Sequence, residues 1–243
     1  MMRLVDDVAG PVINPITVFW LALDQPQTKV QELFEVLSIE EQRKASILQN
    51  PLKRNRAIVR LARRRQLISE ILDIDKSELS ILTRPNGKPY ALANQGEVLE
   101  ISSSNSNGLG LFAVTKGQPI GVDIESISEI PYSAQFASWI AKDSELREIQ
   151  ALPLSLQRRA LLRVWTRKEA YLKATGEGLR TDLKDIEVPM IPIPTDKTFF
   201  PIPHGAPWHL FELPSPQPDF EAALVVRADS RTGSRPTLTL QYR

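Results

Sequence analysis

Apolar and polar positions alternate between two periods along this chain. Val18 to Leu23 (VFWLAL) is a short unbroken apolar run, which predicts a buried strand. Val30, Leu33, Phe34 and Leu37 then recur at helical spacing and predict a helix over 28–37. Ser38, with Glu41 three residues later, forms a capping-box pattern, so a second helix starts there and ends near Asn50-Pro51. A long helix is predicted over 53–72, with Ile58, Leu61, Ala62, Ile68 and Leu72 on an apolar side. Lys53, Arg56, Arg60 and Arg63 fall opposite, with Arg64 at the edge, although Leu67 lies on the basic side and Arg54 and Arg65 on the apolar one. Strands are predicted at Ser80–Leu82, 98–101, Leu109–Val114 and Ile120–Ile124, the last two joined as a hairpin at Lys116-Gly117. Helical spacing returns over 133–151 and 155–175, and Gly176 and Gly178 end the second stretch. Residues 1–16 start as an irregular segment, and residues 186–243 are rich in proline and short-stranded, at 186–188, 208–213, 222–227 and 238–242. Helices and strands in this arrangement predict an α+β protein.

Composition narrows the chemistry more than the fold. A chain of 243 residues with 42% hydrophobic and 24% charged residues can bury an ample core. The net charge of +1 gives no global field for nucleic acid or a membrane surface. Cysteine is absent, which excludes disulfides, thiolate zinc sites and a cysteine nucleophile. The two histidines, His204 and His209, sit in the proline-rich region and argue against a histidine triad or zinc cluster. No apolar run approaches the roughly 20 residues that span a bilayer. The N-terminus has no signal-peptide pattern either, so a cytoplasmic protein is expected.

The densest candidate chemistry lies in Gly121-Val122-Asp123-Ile124-Glu125 and in Trp165 to Lys173. Strand alternation turns Asp123 and Glu125 to one face and Val122 and Ile124 to the other. On a helix, Glu169 and Lys173 lie four apart on one face. Three carboxylates with a lysine make a site for a hard divalent cation such as Mg²⁺, with Mn²⁺ left open. Taken alone, Glu169 and Lys173 are equally a surface ion pair worth about 0.2–0.5 kcal/mol. From Lys53 to Arg65 there are seven basic residues and no acidic one, either a solvated face or a surface for an anion or partner. Lys88 sits in an Asn86-Gly87 turn, where it could meet a phosphate or simply be a surface lysine. Ser102 to Gly108 reads as a polar loop, able to cradle phosphate or to serve as a plain linker.

GVDIE, paired with WTRKEAYLKATGEGL about forty residues on, resembles the signature of the 4′-phosphopantetheinyl transferases, with a length similar to the Sfp-type group. The resemblance runs from about Glu40 to Leu179. It implies two similar subdomains related by a pseudo-twofold, residues 1–117 with coenzyme A nucleotide contacts and 118–243 with the metal and catalytic residues. It also implies transfer of the phosphopantetheine arm of coenzyme A to a serine of an apo-acyl or peptidyl carrier protein, releasing 3′,5′-ADP. Asp123, Glu125 and Glu169 would then be metal ligands. Lys173 would meet the diphosphate, Lys168 would assist, and Glu145 would be a candidate base for the carrier serine. Arg43 would meet the coenzyme A 3′-phosphate. Arg84, Asn86, Gly87, Lys88 and Pro89 would lie beside the adenine, and Ser103, Ser104 and Asn105 at a phosphate.

Asn105 stands where the family usually has histidine, so it offers a neutral hydrogen bond in place of a charge-assisted one. Weaker coenzyme A binding with less acid-side pH dependence is expected. A monomer is expected, because one chain supplies both halves. Fatty-acid, polyketide and nonribosomal peptide carriers all remain open. Two readings compete: another Mg-dependent hydrolase of nucleotide diphosphates, with water as acceptor, and a non-enzymatic anion-binding protein using the basic helix.

Overall fold

Side-chain alternation along two strands decides the layering. In β1 (Ile16–Ala22), Phe19 and Leu21 join a core with helical residues such as Val59, Ala62 and Ile68, while Val18 and Trp20 face the other way. There they meet Ile120, Val122 and Ile124 of β6 (Ile120–Ser126). The result is a helix layer, two sheets face to face and a second helix layer, with three cores between them. The structure is a computed structural model that describes residues 16–92, 96, 98–129, 133–178, 181–190, 208–228 and 236–243. The expectations for residues 1–15 and for His204 lie outside the described residues.

After β1 come α1 (Gln27–Phe34), α2 (Ile39–Ser46), α3 (Pro51–Leu72), β2 (Ser80–Thr83), β3 (Pro89–Leu92), β4 (Val98–Ser106) and β5 (Leu109–Lys116). After β6 come α4 (Ala134–Ile140), α5 (Asp143–Ala151), α6 (Leu154–Thr175), β7 (Trp208–Glu212), β8 (Phe220–Arg227) and β9 (Leu238–Tyr242). One sheet has the order β2-β3-β4-β5-β1-β9 and the other β6-β8-β7. In each half a strand is followed by two short helices, a 22-residue helix and a returning antiparallel pair, whose last strand docks on the first. The α+β fold of two similar halves related by a pseudo-twofold is thus present as one topology used twice. Strand β9 crosses back to pair with β1, so a shared sheet ties the two stretches together.

Four local expectations change. Lys116-Gly117 does not make a hairpin, because β5 and β6 lie in different sheets and the chain crosses over there. Residues 133–151 form two helices, broken at Ala141-Lys142. Residues 186–188 are not a strand; they follow a single 3-10 turn over Leu183–Asp185. The polar stretch after Ile101 is no loop but the continuation of β4, paired with β5 through Ser106↔Leu109. Its hairpin turn is Asn107-Gly108, both with positive φ, as a two-residue turn requires. Among the described residues, no helix is long and apolar enough to cross a membrane.

Candidate active site

Gly121 is the position that lets the site form. A Cβ there would overlap the backbone of Ala170 and Ala174 on α6, so only glycine allows helix and strand to pack this closely. The close approach sets Glu169 and Lys173 over the face of β6 that carries Asp123 and Glu125. Asp123 is 2% exposed. Its Oδ1 accepts from Lys173 Nζ at 2.7 Å and from Ser104 Oγ at 2.7 Å, and Lys173 Nζ also donates to Ser104 Oγ at 2.9 Å. Trp165 Nε1 donates to Glu125 Oε1 at 3.1 Å, and the Trp165 ring packs against Phe136 and Trp139.

The carboxylates carry unmet electrostatic demand. Burial pushes Asp123 upward, against the pull of Lys173 and Ser104. Burial, followed by the charge of Asp123, raises Glu125 to about 7 and raises Glu169 as well. Asp123 Oδ2 and Glu169 Oε1 are buried without a hydrogen-bond partner. Buried, mutually repelling carboxylates with unpaired oxygens are the donor set a hard cation takes. Asp123 and Glu169 fit this role. Glu125, held toward Trp165, is the outer member of the set, and among the described residues no group of three acidic or histidine side chains is gathered as a metal cluster.

A cleft of about 370 Å³ runs from these residues between the two halves. Glu169, Leu172, Lys173 and Gly176 line it from the second half, and Asn86, Gly87, Lys88, Pro89 and Ser103 from the first. Gly87 takes φ +87° in its turn, and Asn86 packs against Gly176, whose φ of +76° ends α6. Lys88 Nζ donates to Ala174 O at 2.7 Å, so a cation of the first half caps the last turn of α6. Burial lowers Lys88 to about 8, with Glu100 opposing and Arg84 assisting.

Other expected site residues lie elsewhere. Lys168 and Glu145 are not brought to the cleft. Lys168 Nζ, fully buried, spends its donors on Glu145 Oε2 (2.6 Å), Ile140 O and Leu183 O. Glu145 is 4% exposed and also accepts from the backbone N–H groups of Lys142 and Val188. Three of the acceptor positions of Glu145 are taken by these donors, and the pair ties the chain around α6. Arg84 pairs with Glu100 at 2.5 Å and stacks over Tyr90, away from the cleft. Arg43 is exposed on α2 and does not line the cleft. Asn105 is exposed on the same β4 face as Ser103, beyond the residues that line it.

Sequence reasoning missed the role of the serines and part of the cleft wall. Ser102, Ser104 and Ser106 alternate on one face of β4 and meet the edge of β6: Ser102 Oγ accepts from Val122 N–H, Ser106 Oγ accepts from Ser126 N–H, and Ser104 donates to Asp123. Their hydroxyls satisfy an edge strand of the other sheet, and the i, i+2 spacing of the serines was the available signal. Arg60 and Arg64 line the cleft from α3, and their i, i+4 spacing in the basic run was a partial signal.

A family model described as the 4′-phosphopantetheinyl transferase superfamily matches residues 119–225, the stretch holding both signature segments. The chain is 29% identical over 216 residues to 4′-phosphopantetheinyl transferase HetI of Nostoc sp., covering 88% of each chain. It is 25% identical to 4′-phosphopantetheinyl transferase Sfp of Bacillus subtilis, over 70% of this chain and 75% of that one. Over these stretches the chain is similar to 4′-phosphopantetheinyl transferases. A solved structure of holo-[acyl-carrier-protein] synthase from Thermotoga maritima aligns over 45% of this chain and 62% of that one at 24% identity, with a TM-score of 0.33, which adds no weight. The metal-ligand candidates come from the family-matched stretch, and much of the cleft wall comes from the first half.

Proposed function

We propose that this chain transfers the 4′-phosphopantetheine arm of coenzyme A to a serine of an apo-carrier protein and releases 3′,5′-ADP. The observation that carries the reading is the meeting of Lys173 and Asp123 beside Glu169, at one end of a cleft whose other wall bears Lys88 and the Asn86-Gly87 turn. Residues 1–117 supply the nucleotide side and residues 118–243 the reacting side. Asp123 and Glu169, with Glu125 at the rim, would hold Mg²⁺. When bound, such an ion neutralises the diphosphate and fixes its geometry.

The remaining steps belong to the chain's own side chains. The carrier serine oxygen attacks the phosphorus that carries the arm, and the bond from that phosphorus to the bridging oxygen breaks. Glu169, which lines the cleft and keeps one carboxylate oxygen without a hydrogen-bond partner, takes the serine proton. Lys173 supplies positive charge to the departing 3′,5′-ADP. Asn86, Gly87 and Pro89 form the wall against which the nucleotide lies. Glu145 takes no part in the proton transfer, because its oxygens are occupied by Lys168, Lys142 and Val188. Asn105 lies two residues beyond Ser103 on the same face of β4, and Asn105→His is expected to strengthen coenzyme A binding at mildly acid pH.

The test is incubation with coenzyme A, Mg²⁺ and several apo-carrier proteins, followed by intact mass. A gain of the phosphopantetheine arm, absent with Glu169→Ala, supports the reading. No gain on any carrier, or coenzyme A breakdown without a carrier, overturns it.

A further inference from the structure

Asn-Gly occurs twice in the chain, at Asn86-Gly87 and at Asn107-Gly108. Both are turns with the glycine at positive φ, and both asparagines are exposed, so sequence and exposure rank them equally. Glycine has no Cβ to keep its nitrogen away from the side-chain carbon of the preceding asparagine. That approach is the first step of amide loss, in which the glycine nitrogen attacks the asparagine Cγ.

The surroundings of the two turns differ. Asn86 Oδ1 accepts the N–H of Lys88, two residues on, at 3.2 Å. This bend folds the amide over the Gly87 peptide, and the donated N–H stabilises the negative charge that forms on Oδ1 during attack. Asn86 Nδ2 faces Gly176, and both residues line the open cleft, so a departing nitrogen has a way out. The turn is flanked by Arg84 and Lys88, two cations that share one carboxylate, Glu100. At Asn107 the balance is reversed. Its own N–H is held by Glu129 Oε2 at 3.0 Å and its Nδ2 by Ser128 Oγ at 3.5 Å, and among the described residues nothing donates to its Oδ1. Gly108 is pressed against Asp24 and Arg56, and its carbonyl accepts the N–H of Leu23 at 2.9 Å. Here two carboxylates, Asp24 and Glu129, stand against one cation and oppose a developing anion.

We propose that Asn86-Gly87 is a site of spontaneous deamidation, converting faster than Asn107-Gly108, and that its product weakens the hold of the cleft on coenzyme A. The bond from Gly87 N–H to Arg84 O, 2.8 Å long, is released as the nitrogen attacks. A bond forms from Gly87 N to Asn86 Cγ, the bond from Cγ to Nδ2 breaks, and the Gly87 proton passes through water to the departing nitrogen, which leaves as ammonia. Water then opens the cyclic imide at either carbonyl. The products are aspartate and its isomer, in which the chain continues through the side-chain carbon; nothing is oxidised or reduced. Either product places a carboxylate next to Lys88 on the wall of the cleft, where it repels a phosphate-bearing donor. The site stands on the geometry of the turn alone, and its effect on coenzyme A rests on the transferase reading.

The test keeps the full chain in warm, mildly alkaline buffer, with and without coenzyme A, and follows both turns by peptide mapping with mass spectrometry. Asn86 should convert at least about threefold faster than Asn107. Coenzyme A should slow Asn86 and leave Asn107 unchanged. Gly87→Ala, whose Cβ meets nothing within 4 Å, should slow conversion at Asn86 in a folded chain. Asn86→Asp should bind coenzyme A about tenfold more weakly by calorimetry. Conversion at Asn107 first, no conversion at Asn86, or an Asn86 rate that Gly87→Ala leaves unchanged would overturn the site. An Asn86 rate indifferent to coenzyme A, or an Asn86→Asp chain that binds it like the wild type, would overturn the link to the cleft. A wild type that does not bind coenzyme A would instead overturn the transferase reading, while the two conversion rates would still decide the site.

Discussion

The two halves solve one structural problem with the same device and then diverge one helical step away. In the first half Glu41, at the third position of α2, accepts the N–H of Ser38 and the guanidinium groups of Arg64 and Arg65. In the second half Glu145, at the third position of α5, accepts the N–H of Lys142 and the ammonium of Lys168. Arg65 and Lys168 are each the fifteenth residue of their 22-residue helix, and each also donates to carbonyls of the chain beyond that helix. The buried pair fixes the short helix, the long helix and the following segment to one another. The proposed reacting residues sit beside it, Glu169 and Lys173 on α6, and Arg60 and Arg64 line the same cleft from α3. Conspicuous charged residues inside a signature can thus belong to the frame, and their neighbours to the chemistry.

The largest effect is expected when one member of a buried pair is removed. Glu145→Ala should cost about 3–5 kcal/mol of stability by leaving Lys168 buried and uncompensated, read from denaturant unfolding. Glu41→Ala should cost a similar amount for the same reason. A Glu145→Ala chain that is fully stable but inactive would return Glu145 to catalysis.

Gly121→Ala comes next. It should cost about 1–3 kcal/mol by forcing α6 off β6 and should cut transfer activity more than coenzyme A binding, measured on the same sample. A variant with normal activity would show that the close approach does not hold the site together.

Lys173→Met separates the two ends of the cleft. It removes the ammonium that neutralises Asp123, so Mg²⁺ affinity measured by calorimetry should rise while transfer falls. If both fall together, Lys173 and the carboxylates do not share that role.

The smallest expected effect is in pH. Lys88 is lowered to about 8. Below that value its ammonium is charged and meets an anion directly. Above it, binding must take up a proton, so coenzyme A affinity should fall as pH rises from 8 toward 10, by at most about tenfold per unit. Lys88→Arg, which stays charged, should flatten that slope.

Much of this was legible in the sequence because it is local. The Ser38–Glu41 capping box, the long helices, the Gly176 end and the alternation of GVDIE depend on neighbours in the chain. What stayed hidden depends on distant partners. Ser102, Ser104 and Ser106 read as a loop because their hydroxyls serve β6, some twenty residues on. Lys116-Gly117 read as a hairpin because nothing local says that β6 belongs to another sheet. Arg65 spoiled the amphipathic pattern of α3 because its partner lies on α2. Lys168 looked like a phosphate ligand because its three acceptors lie 15, 23 and 28 residues away.

In the proposed mechanism Glu169 acts, and Glu145 with Lys168 only supports. Intact-mass measurement of an apo-carrier protein after incubation with coenzyme A, Mg²⁺ and each variant tests it directly. Glu169→Gln should abolish arm transfer in a fully folded chain, while the paired change of Glu145→Gln with Lys168→Met, assayed where it remains folded, should keep transfer within about tenfold. Transfer that persists in Glu169→Gln, or vanishes in the folded paired variant, would overturn these roles.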